Sequence, residues 1–325
     1  MKFGIMSFAH MHAYSYADCL NQMPGVHLSG ISDDDPARGE EAARKYDVPY
    51  YESDGALLAT DVDAVIICSE NVRHKEMVLQ AAEANKHILC EKPIATSTDD
   101  AWEMIEACKK AGVKLMTAFP VRYSTPIQKL KTYVEEGHLG TILSMRTTNR
   151  GQNPGGWFIE TEKSGGGAVL DHTVHMIDIM RWLMNSDVSK VYAEVDTLFT
   201  DKPIDDCGLM TLAFENGVLA SHDPSWSKNP AYPTWGDATI EVVGTKGRAY
   251  ADAFGETLHF YSSKDEAYRH VLFGKDMDYG LLEDFVKCVK EDLEPSVTGL
   301  DGLRAMEVAL AAYESGRSHQ EITIR

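Results

Sequence analysis

Residues 87–93, HILCEKP, decide the fold of this chain. The apolar run His87-Ile88-Leu89-Cys90 is typical of a parallel strand that is buried on both faces, and Lys92 follows shortly after it. Open α/β sheets bind their ligands at the carboxyl ends of such strands. Because Pro93 disfavours helical geometry at the preceding residue, it fixes where the Lys92 side chain points. We therefore expect the Lys92 ammonium in an active site at one edge of a parallel sheet.

Strand-like apolar runs alternate with helical patterns through the first 119 residues. The predicted strands are Lys2-Met6, Val26-Ile31, Asp63-Cys68, His87-Cys90 and Val113-Met116. Helices are predicted at Ala37-Lys45, after Pro36, and at Asp99-Ala111, which Ser97 or Thr98 can cap. This alternation indicates right-handed βαβ units, and hence an α/β fold with a doubly wound parallel sheet.

The pattern changes after Phe119, where a helix at Thr125-Glu136 is followed by alternating, β-rich segments. The predicted strands there include Ser144-Arg150, Lys190-Leu198, Gly208-Phe214, Thr239-Val243 and Arg248-Ala253. Turn signals at 215–217 and 244–247 predict antiparallel hairpins. Further helices are predicted at Val174-Met184, Tyr279-Glu291 and Leu300-Ser315. Because 325 residues exceed one typical hydrophobic core, we expect two domains, 1–119 and 120–325.

The charge of the chain excludes several classes of partner. With 50 acidic and 31 basic residues, its formal net charge is -19, which repels nucleic acid and anionic membranes and suits a small-molecule ligand. The six cysteines form no CxxC pair, as is typical of a reducing compartment. No apolar run is long enough to span a membrane, and the start shows no signal peptide. We expect a cytoplasmic protein that binds neither nucleic acid nor membrane.

A phosphate-binding turn is expected between the first strand and the next helix of a dinucleotide fold. The segment here, Ser7-Phe8-Ala9-His10-Met11-His12, lacks the glycines of GxGxxG, although the small Ser7 and Ala9 still allow the backbone to approach a pyrophosphate. Taken alone, the loop is equally compatible with an ordinary strand-to-helix turn. The cofactor-binding candidates in it are Ser7, Phe8, Ala9, His10 and His12.

Asp33 favours nucleotide binding, because it ends the second strand about twenty residues after the loop, as a ribose-binding carboxylate does. Asp34 and Asp35 follow it, and three adjacent carboxylates would repel a 2′-phosphate, so we expect NAD rather than NADP. For Asp34 and Asp35 themselves we prefer a capping role at the next helix. After the predicted strand Asp63-Cys68, Asn71 could touch ribose or nicotinamide, and His74 could equally start a helix. The further cofactor-binding candidates are Ser69, Asn71, His74, Glu91 and Lys92.

Asp171 and His175 form a candidate acid–base pair. They are four residues apart, so on a helix they share one face, which Asp178 continues. A carboxylate orients a neighbouring imidazole and stabilises its charged form, which suits His175 as the acceptor of a hydroxyl proton. Loss of hydride from a secondary alcohol requires this proton transfer, and the Lys92 cation would stabilise the developing alkoxide. The predicted catalytic residues are therefore Lys92, His175 and Asp171.

Two alternative roles for this segment stay open. Asp171, His172, His175 and Asp178 could form a metal cluster, but the sequence shows no further ligand set at metal-binding spacing, and so we expect no metal. They could also be a helix cap with hydrogen-bonded polar groups of the core. The glycine run at 164–168 before them lets the backbone approach a cofactor closely.

Together these motifs resemble the glucose-fructose oxidoreductase, inositol dehydrogenase and MocA (Gfo/Idh/MocA) family over essentially the whole chain. The segments that carry the resemblance are the first strand and turn, 62–67, 87–93, the glycines 165–167 with Asp171, Val174, His175 and Asp178, and 241–247. It implies an N-terminal NAD-binding Rossmann domain, followed by an α+β substrate-binding domain with a large, mostly antiparallel sheet whose outer face forms homodimers or homotetramers. It also implies NAD(P)-dependent oxidation or reduction of a sugar, polyol or related carbohydrate, with catalytic roles for Lys92, Asp171 and His175.

Departures from the family pattern bear on the site. Ser7 and Ala9 replace the usual loop glycines, and His172 stands where many members have a small or apolar residue, so His172 could reach the substrate. Aromatic rings stack on sugar faces and sugar hydroxyls need polar partners, although loop aromatics often simply pack. The substrate-binding candidates are Lys92, Arg122, Tyr123, Asn153, Trp157, Phe158, Asp171, His172 and His175.

The sequence leaves three functions to compare. The leading hypothesis is a NAD-dependent dehydrogenase of a sugar, polyol or related carbohydrate. The same site could run a closed redox cycle instead, in which a transient keto sugar permits elimination, glycoside hydrolysis or epimerisation. A sugar-responsive regulator that binds NAD without chemistry belongs to another class, but it would be expected to lose Lys92 or His175, and this chain keeps both.

Overall fold

The computed structural model describes residues 1–262 and 267–324, which form two compact units. The first unit contains Met1–Pro120, Glu162–Gly165 and Asp278–Met306, and the second contains Val121–Thr161, Gly166–Met277 and Glu307–Arg325. The first unit thus includes the segment Asp278–Met306, which belongs to the C-terminal domain predicted from the sequence. The predicted domains, 1–119 and 120–325, stay a prediction.

Strands and helices alternate up to residue 119. The elements are β1 (Lys2–Met6), α1 (His12–Gln22), β2 (His27–Ser32), α2 (Pro36–Tyr46), β3 (Tyr50–Tyr51), α3 (Asp54–Leu58), β4 (Ala64–Ile67), α4 (His74–Glu83), β5 (His87–Cys90), α5 (Thr98–Ala111) and β6 (Leu115–Thr117). Every strand predicted in this region is present. β3 is additional, and its two residues are too short to produce a sequence pattern.

These strands form a six-stranded parallel sheet in the order β3-β2-β1-β4-β5-β6. This is the order of a doubly wound Rossmann sheet, in which ligands bind where the order reverses, between β1 and β4. The register sets Ser32, Met6, Ile67 and Cys90 side by side at the ends of β2, β1, β4 and β5. The segments after these four strands therefore leave the sheet at one edge, and the predicted parallel α/β fold is confirmed.

Local signals explain where the helices of this unit begin and end. Asp35 caps α2 by accepting hydrogen bonds from two backbone N–H groups of the first turn. Ser97 caps α5, and Gly112 ends it with a φ of 69°. The predicted capping role is thus confirmed for Asp35 and wrong for Asp34, whose carboxylate pairs with arginine side chains instead.

The strands become longer after residue 119. The elements are α6 (Thr125–Glu135), β7 (Ile142–Gly151), α7 (Thr161–Ser164), α8 (Ala168–Met184), β8 (Val188–Asp196), β9 (Cys207–Phe214), β10 (Leu219–Ser225), β11 (Gly236–Gly244), β12 (Arg248–Asp252), β13 (Thr257–Ser262), β14 (Ala267–Leu272), α9 (Met277–Glu291), α10 (Gly299–Ser318) and β15 (Ile322–Thr323). None of the described helices is both long enough and apolar enough to cross a lipid bilayer.

A seven-stranded sheet organises the second unit, in the order β12-β11-β7-β10-β9-β8-β15. Its neighbouring strands are antiparallel except β7 and β10, which run parallel. The turns at 215–217 and 244–247 join β9 to β10 and β11 to β12, as predicted. The expected large, mostly antiparallel sheet is confirmed, and β10, which contains Pro224, is the second strand of the hairpin that the turn at 215–217 predicts.

Helix α8 packs against β7, β9 and β10 and is buried on almost every side. Most of its residues are apolar, and Asp171, His175 and Asp178 share one face. The helix begins at Ala168, so the predicted start at Val174 is wrong. The reason is that a side chain distant in sequence caps the first turn, which a local pattern cannot reveal.

Candidate active site

The turn between β1 and α1 adopts the backbone of a glycine loop without a glycine. Ser7 has a φ of 72°, in the left-handed region that glycine favours. Its N–H donates to the carbonyl of Ser32 (2.7 Å), and its hydroxyl accepts from the N–H of Ala9 (3.1 Å). These bonds hold Ser7 in a conformation that would otherwise be costly, so the chain turns sharply after β1.

The start of α1 fits an anionic group such as the pyrophosphate of a dinucleotide. Its first turn contains no acidic residue, and its N-cap, Met11, makes no side-chain cap hydrogen bond. Because the N-terminus of a helix attracts negative charge, phosphate oxygens are suitable partners there. The predicted residues Ser7, Phe8, Ala9, His10 and His12 all lie in this turn or at the helix start.

Asp33 ties this turn to the end of β2. Its carboxylate accepts from the N–H of Phe8 (2.7 Å) and the N–H of Asp35 (2.9 Å). The guanidinium of Arg38 donates to both carboxylate oxygens, at 2.9 and 2.6 Å. Each oxygen already accepts two hydrogen bonds, which fills its lone pairs. Asp33 can therefore contact a ribose only if the Arg38 guanidinium moves away from it. The ribose contact stays a prediction.

Two arginines balance the acidic cluster after β2. Arg38 contacts Asp34 (3.0 Å), and Arg73 pairs with the other oxygen of Asp34 (2.7 Å). Partial burial alone would raise the pKa of Asp34, but Arg73 and Arg38 outweigh it and lower that pKa. Asp34 is therefore an ionised, paired carboxylate, whereas the sequence showed only the negative charge of the cluster.

Asn71 and His74 form a buried polar group after β4, beside the buried Ser69. The Nδ2 of Asn71 donates to the carbonyl of Ser164 (2.8 Å), whereas its Oδ1 has no partner among the described residues. The Nδ1 of His74 donates to the carbonyl of Pro93 (2.9 Å), and burial lowers the pKa of His74, so the ring is neutral. The buried Oδ1 of Asn71 fits a donor such as a ribose hydroxyl or a carboxamide.

Glu91, directly after β5, is a wholly buried carboxylate surrounded by donors. It accepts from Nδ1 of His12 (3.0 Å), the hydroxyl of Tyr16 (2.5 Å) and the N–H of Lys92 (3.1 Å). Burial alone would raise the pKa of Glu91, but His10, His12 and Lys92 outweigh it and hold that pKa well below its usual value. The ionised carboxylate thus links the histidines of the turn to the backbone of Lys92.

Within the described part of the chain, potential metal ligands converge at His10, His12 and Glu91, whose ligand atoms lie within 4.8 Å of one another. The Nδ1 of His10 accepts the N–H of His12 (3.2 Å), so the ring proton of His10 is on Nε2, which faces Glu91. His12 donates to Glu91 from Nδ1. In this structure His12 is hydrogen-bonded to Glu91, and His10 faces the same carboxylate at 3.9 Å.

In the second unit, Asp205 and Tyr313 organise the start of α8. Asp205 accepts from the N–H groups of Gly167 (2.9 Å) and Val169 (2.8 Å). The hydroxyl of Tyr313 donates to Asp205 (2.9 Å) and accepts from the N–H groups of Gly167 (3.0 Å) and Leu170 (3.1 Å). A Cβ at Gly167 would lie 2.0 Å from the carbonyl oxygen of Asp205. The glycine is thus needed for this contact, whether or not a cofactor approaches it.

Asp171 lies on the first turn of α8, beside Trp226 and His172. The Nε1–H of Trp226 donates to its Oδ2 (3.2 Å), and the Nε2 of His172 lies 3.3 Å from the same oxygen. The Nδ1 of His172 donates to the carbonyl of Asn149 (2.7 Å), which fixes the ring. His172 therefore lies beside Asp171, and its contact with a substrate stays a prediction. No motif pointed to Trp226; its only sequence signal is an isolated tryptophan at the end of a polar strand.

Asp178 and Arg122 form a buried ion pair. The Nε of Arg122 donates to Asp178 (2.8 Å), and a second bond from Nη2 completes a two-pronged contact. The guanidinium lies 5.1 Å from the ring centre of Trp182. Arg122, a predicted substrate residue, thus has a structural task on the helix face that carries Asp171 and His175, the latter 7% exposed.

The other predicted substrate residues of this unit pack or close turns. Asn153 accepts the backbone N–H of the residue two positions on (2.9 Å). Trp157 stacks on Phe158, with ring centres 3.8 Å apart, and Phe158 is buried in an apolar cluster with Trp226. Tyr123 is partly buried at the end of a 3-10 turn. Packing thus accounts for Phe158, and substrate contact stays a prediction for all four.

Known proteins share this architecture. Residues 2–119 match the model of an oxidoreductase family with an NAD-binding Rossmann fold, and residues 127–250 match the Gfo/Idh/MocA C-terminal domain. An uncharacterized oxidoreductase of Bacillus subtilis (strain 168) is 34% identical over 91% of this chain and 89% of its own length. The myo-inositol 2-dehydrogenase of Thermotoga maritima is 33% identical over 97% of this chain and 96% of its own. The crystal structure of a probable dehydrogenase from Thermotoga maritima has a TM-score of 0.86 and 30% identity, and covers 99% of this chain and 98% of that one.

The matches cover both the parallel sheet and most of the second sheet, in the order that the sequence resemblance implied. Near-complete relatives above 30% identity support the same assignment. This protein belongs to the Gfo/Idh/MocA family of oxidoreductases and carries the family's NAD-binding Rossmann domain.

Proposed function

We propose that this protein is a NAD-dependent dehydrogenase that transfers hydride between nicotinamide and a hydroxyl or keto carbon of a sugar, polyol or related carbohydrate. The observation that carries the proposal is the match of both halves of the chain to one oxidoreductase family, with a nearly full-length relative named myo-inositol 2-dehydrogenase. Oxidation of a ring hydroxyl needs a base, a cationic stabiliser and a hydride acceptor. His175 and Lys92 are the residues proposed for the first two tasks, and bound NAD supplies the third.

The proposed chemistry is a paired loss of a proton and a hydride. His175 takes the hydroxyl proton while hydride leaves the same carbon, so that the alcohol becomes a ketone; the reverse transfers reduce the ketone. Lys92 donates a hydrogen bond to the substrate oxygen and stabilises its developing charge. Asp171 orients His175 and stabilises its protonated form. Trp226 supports this role, because its Nε1–H donates to the Asp171 carboxylate.

Replacing Lys92 with methionine tests these assignments. Methionine keeps an unbranched chain without the ammonium, so turnover should fall by about a thousandfold or more, while NADH binding persists. Steady-state kinetics and NADH fluorescence measure the two effects. Lys109→Met, at a side chain that is 77% exposed on α5, is the matched control and should leave both unchanged. A Lys92→Met protein that keeps most of its activity contradicts the assignment.

NAD is the proposed coenzyme in preference to NADP. Asp33, Asp34 and Asp35 supply carboxylates after β2, and the nearest cations, Arg38 and Arg73, are already paired with them. A 2′-phosphate would have to compete with these carboxylates for the guanidinium groups. NADP binding within a few-fold of NAD binding would contradict this preference.

The decisive experiment is nicotinamide reduction by the purified protein, supplied with NAD and separately with NADP, across a panel of inositols, sugars and sugar acids. Turnover with NAD establishes the dehydrogenase and identifies its substrate. Tight NAD binding without net reduction across the panel contradicts it. Cofactor that copurifies and does not exchange then supports the closed redox cycle.

A cytoplasmic homodimer or homotetramer, formed through the outer face of the second sheet, is also proposed. Leu209, Leu219 and Tyr250 stand on that face and are 62%, 61% and 65% exposed. Exposed large apolar side chains on one face are typical of an interaction surface. Arg146 and Glu241 pair on the same face at 2.9 Å and provide a polar contact within it. Light scattering after gel filtration tests the assembly, and a monomer would contradict it.

A further inference from the structure

His12 begins α1, the helix whose start fits a dinucleotide pyrophosphate. Its Nδ1 donates to the buried carboxylate of Glu91 at 3.0 Å, which fixes the orientation of the ring. The side chain is 30% exposed. Within the described residues, its Nε2 makes no hydrogen bond and is not buried. One ring nitrogen is therefore anchored, while the other is open to a ligand.

The groups around His12 determine its charge. The titratable and charged groups that face it are Glu91 and Lys92 after β5, Tyr16 on α1, His10 in the turn and Asp278 on α9. Burial lowers the pKa of His12, but Glu91 and Asp278 outweigh this effect and that of Lys92, so its pKa is raised. The ring therefore holds its second proton to a higher pH than a free histidine does.

The turn leaves few backbone donors for a phosphate. The N–H of Phe8 donates to Asp33, that of Ala9 to the hydroxyl of Ser7, and that of His10 to the carbonyl of Cys68 (2.9 Å). A glycine-rich loop normally directs such N–H groups at the phosphates of its ligand. The side chain of His12 can supply a further donor in this turn.

We propose that His12 is a cationic ligand of the cofactor diphosphate, donating from Nε2 to a phosphate oxygen. An imidazolium supplies a charge-assisted hydrogen bond, which is shorter and stronger than one from a neutral amide. His10 cannot replace it, because its side chain is 3% exposed, its Nδ1 accepts the N–H of His12, and its Nε2 faces Glu91 at 3.9 Å. Among His10, His12, Tyr16 and Glu91, only His12 is substantially exposed.

This inference rests on cofactor binding, which is part of the proposed function, but not on the carbohydrate or its oxidation. The test therefore measures binding, by competition of ADP-ribose and of adenosine against NADH with nicotinamide fluorescence as the signal. ADP-ribose contains the diphosphate and adenosine does not. If His12 contacts the diphosphate, its replacement must change the affinity for ADP-ribose and not the affinity for adenosine.

His12→Asn keeps a donor for Glu91 and removes the charge. It should weaken ADP-ribose binding about tenfold near pH 6.5, the order of one charge-assisted hydrogen bond, and leave adenosine unchanged. In the unmodified protein, ADP-ribose affinity should fall as pH rises through the pKa of His12, because the proton is lost there. His138→Asn is the matched control: this exposed histidine of the second unit pairs with Glu136 at 3.0 Å, and both affinities should be unchanged.

An unchanged ADP-ribose affinity in His12→Asn overturns the inference. Should this variant fail to fold, the unmodified protein still decides, because ADP-ribose and adenosine affinities with the same pH dependence also overturn it. If NADH and ADP-ribose both fail to bind, the proposed cofactor use fails together with this inference. If NADH and ADP-ribose bind but the expected difference between ADP-ribose and adenosine is absent, only the inference about His12 fails, and the dehydrogenase proposal is unaffected.

Discussion

Glu91 in the first unit and Asp205 in the second have pKa values shifted in opposite directions, although burial acts to raise both. Around Glu91, the histidines His10 and His12 together with Lys92 outweigh burial and lower the pKa. Around Asp205, burial is the largest effect, and the donors are backbone N–H groups and the hydroxyl of Tyr313, which are all neutral, so the pKa is raised. The comparison teaches that the charge of the partners, more than depth, decides whether a carboxylate stays ionised.

The histidines of the two units differ in the same way. His12 contacts a carboxylate and has a raised pKa. His222, wholly buried on β10, shares a hydrogen bond with the neutral hydroxyl of Thr147 (2.8 Å), and burial lowers its pKa to about 3. Pairing with Glu91 thus favours the charged form of His12, whereas His222 is kept neutral.

Glu91→Gln should produce the largest effect, because it breaks the charge pairing on which the comparison depends. Removing one partner of a buried ion pair costs about 3 kcal/mol or more of the free energy of unfolding. Urea-induced unfolding near pH 7 measures this loss. Since folding lowers the pKa of Glu91, its contribution is present above the usual glutamate pKa and disappears as pH falls through the folded value.

Glu136→Gln is the control for this substitution. Glu136 pairs with His138 at 3.0 Å, and both side chains are 55% exposed, so the expected change lies within about 0.5 kcal/mol. Equal losses in the two variants would show that the Glu91 cluster is not held by buried charge.

His222→Gln should have an intermediate effect, which appears as a change in how the free energy of unfolding depends on pH. The unfolded chain binds a proton at His222 below about pH 6.5 and the folded chain does not until about pH 3, so stability falls as pH falls between these values. Between about pH 7 and 5 this costs about 2 kcal/mol, which the glutamine variant should not lose. Urea unfolding at both pH values measures the difference.

The absolute stability of His222→Gln does not enter this test, because each variant is compared with itself at two pH values. His138→Gln, at an exposed histidine, should keep the pH dependence of the unmodified protein. A His222→Gln protein with that same dependence would mean that His222 titrates normally, and the contrast with His12 would fail.

How far the sequence predicts the structure also differs between the units. The bounds of β1, β5 and α5 follow from local residues such as Ser97 and Gly112, and the strand–helix alternation gives the parallel sheet. The left-handed conformation of Ser7 does not follow from the local sequence alone, because its backbone N–H is bonded to the carbonyl of Ser32, at the end of another strand.

The second unit shows why the rest could not be predicted. Helical spacing places Asp171 and His175 on one face of α8, and this is a local property of the chain. The groups that cap the helix and hold Asp171, namely Asp205, Tyr313 and Trp226, come from segments that only the fold brings near. A single sequence therefore suggests candidates for the chemistry, but it does not reveal which residues support them.

Tyr313→Phe should have the smallest effect, and it tests the carboxylate of Asp205, whose hydrogen-bond donors are all neutral. The hydroxyl donates to Asp205 and accepts from two N–H groups at the start of α8, so its loss should cost about 1 kcal/mol in the free energy of unfolding. Tyr192→Phe removes an exposed hydroxyl that donates to Glu194 (2.5 Å) and should cost close to nothing. A loss in Tyr313→Phe as large as that in Glu91→Gln would mean that a neutral network holds a carboxylate as strongly as a charged one, and it would remove the distinction between the two units. Equal, negligible losses in the two tyrosine variants would mean that the glycine run and apolar packing fix the start of α8.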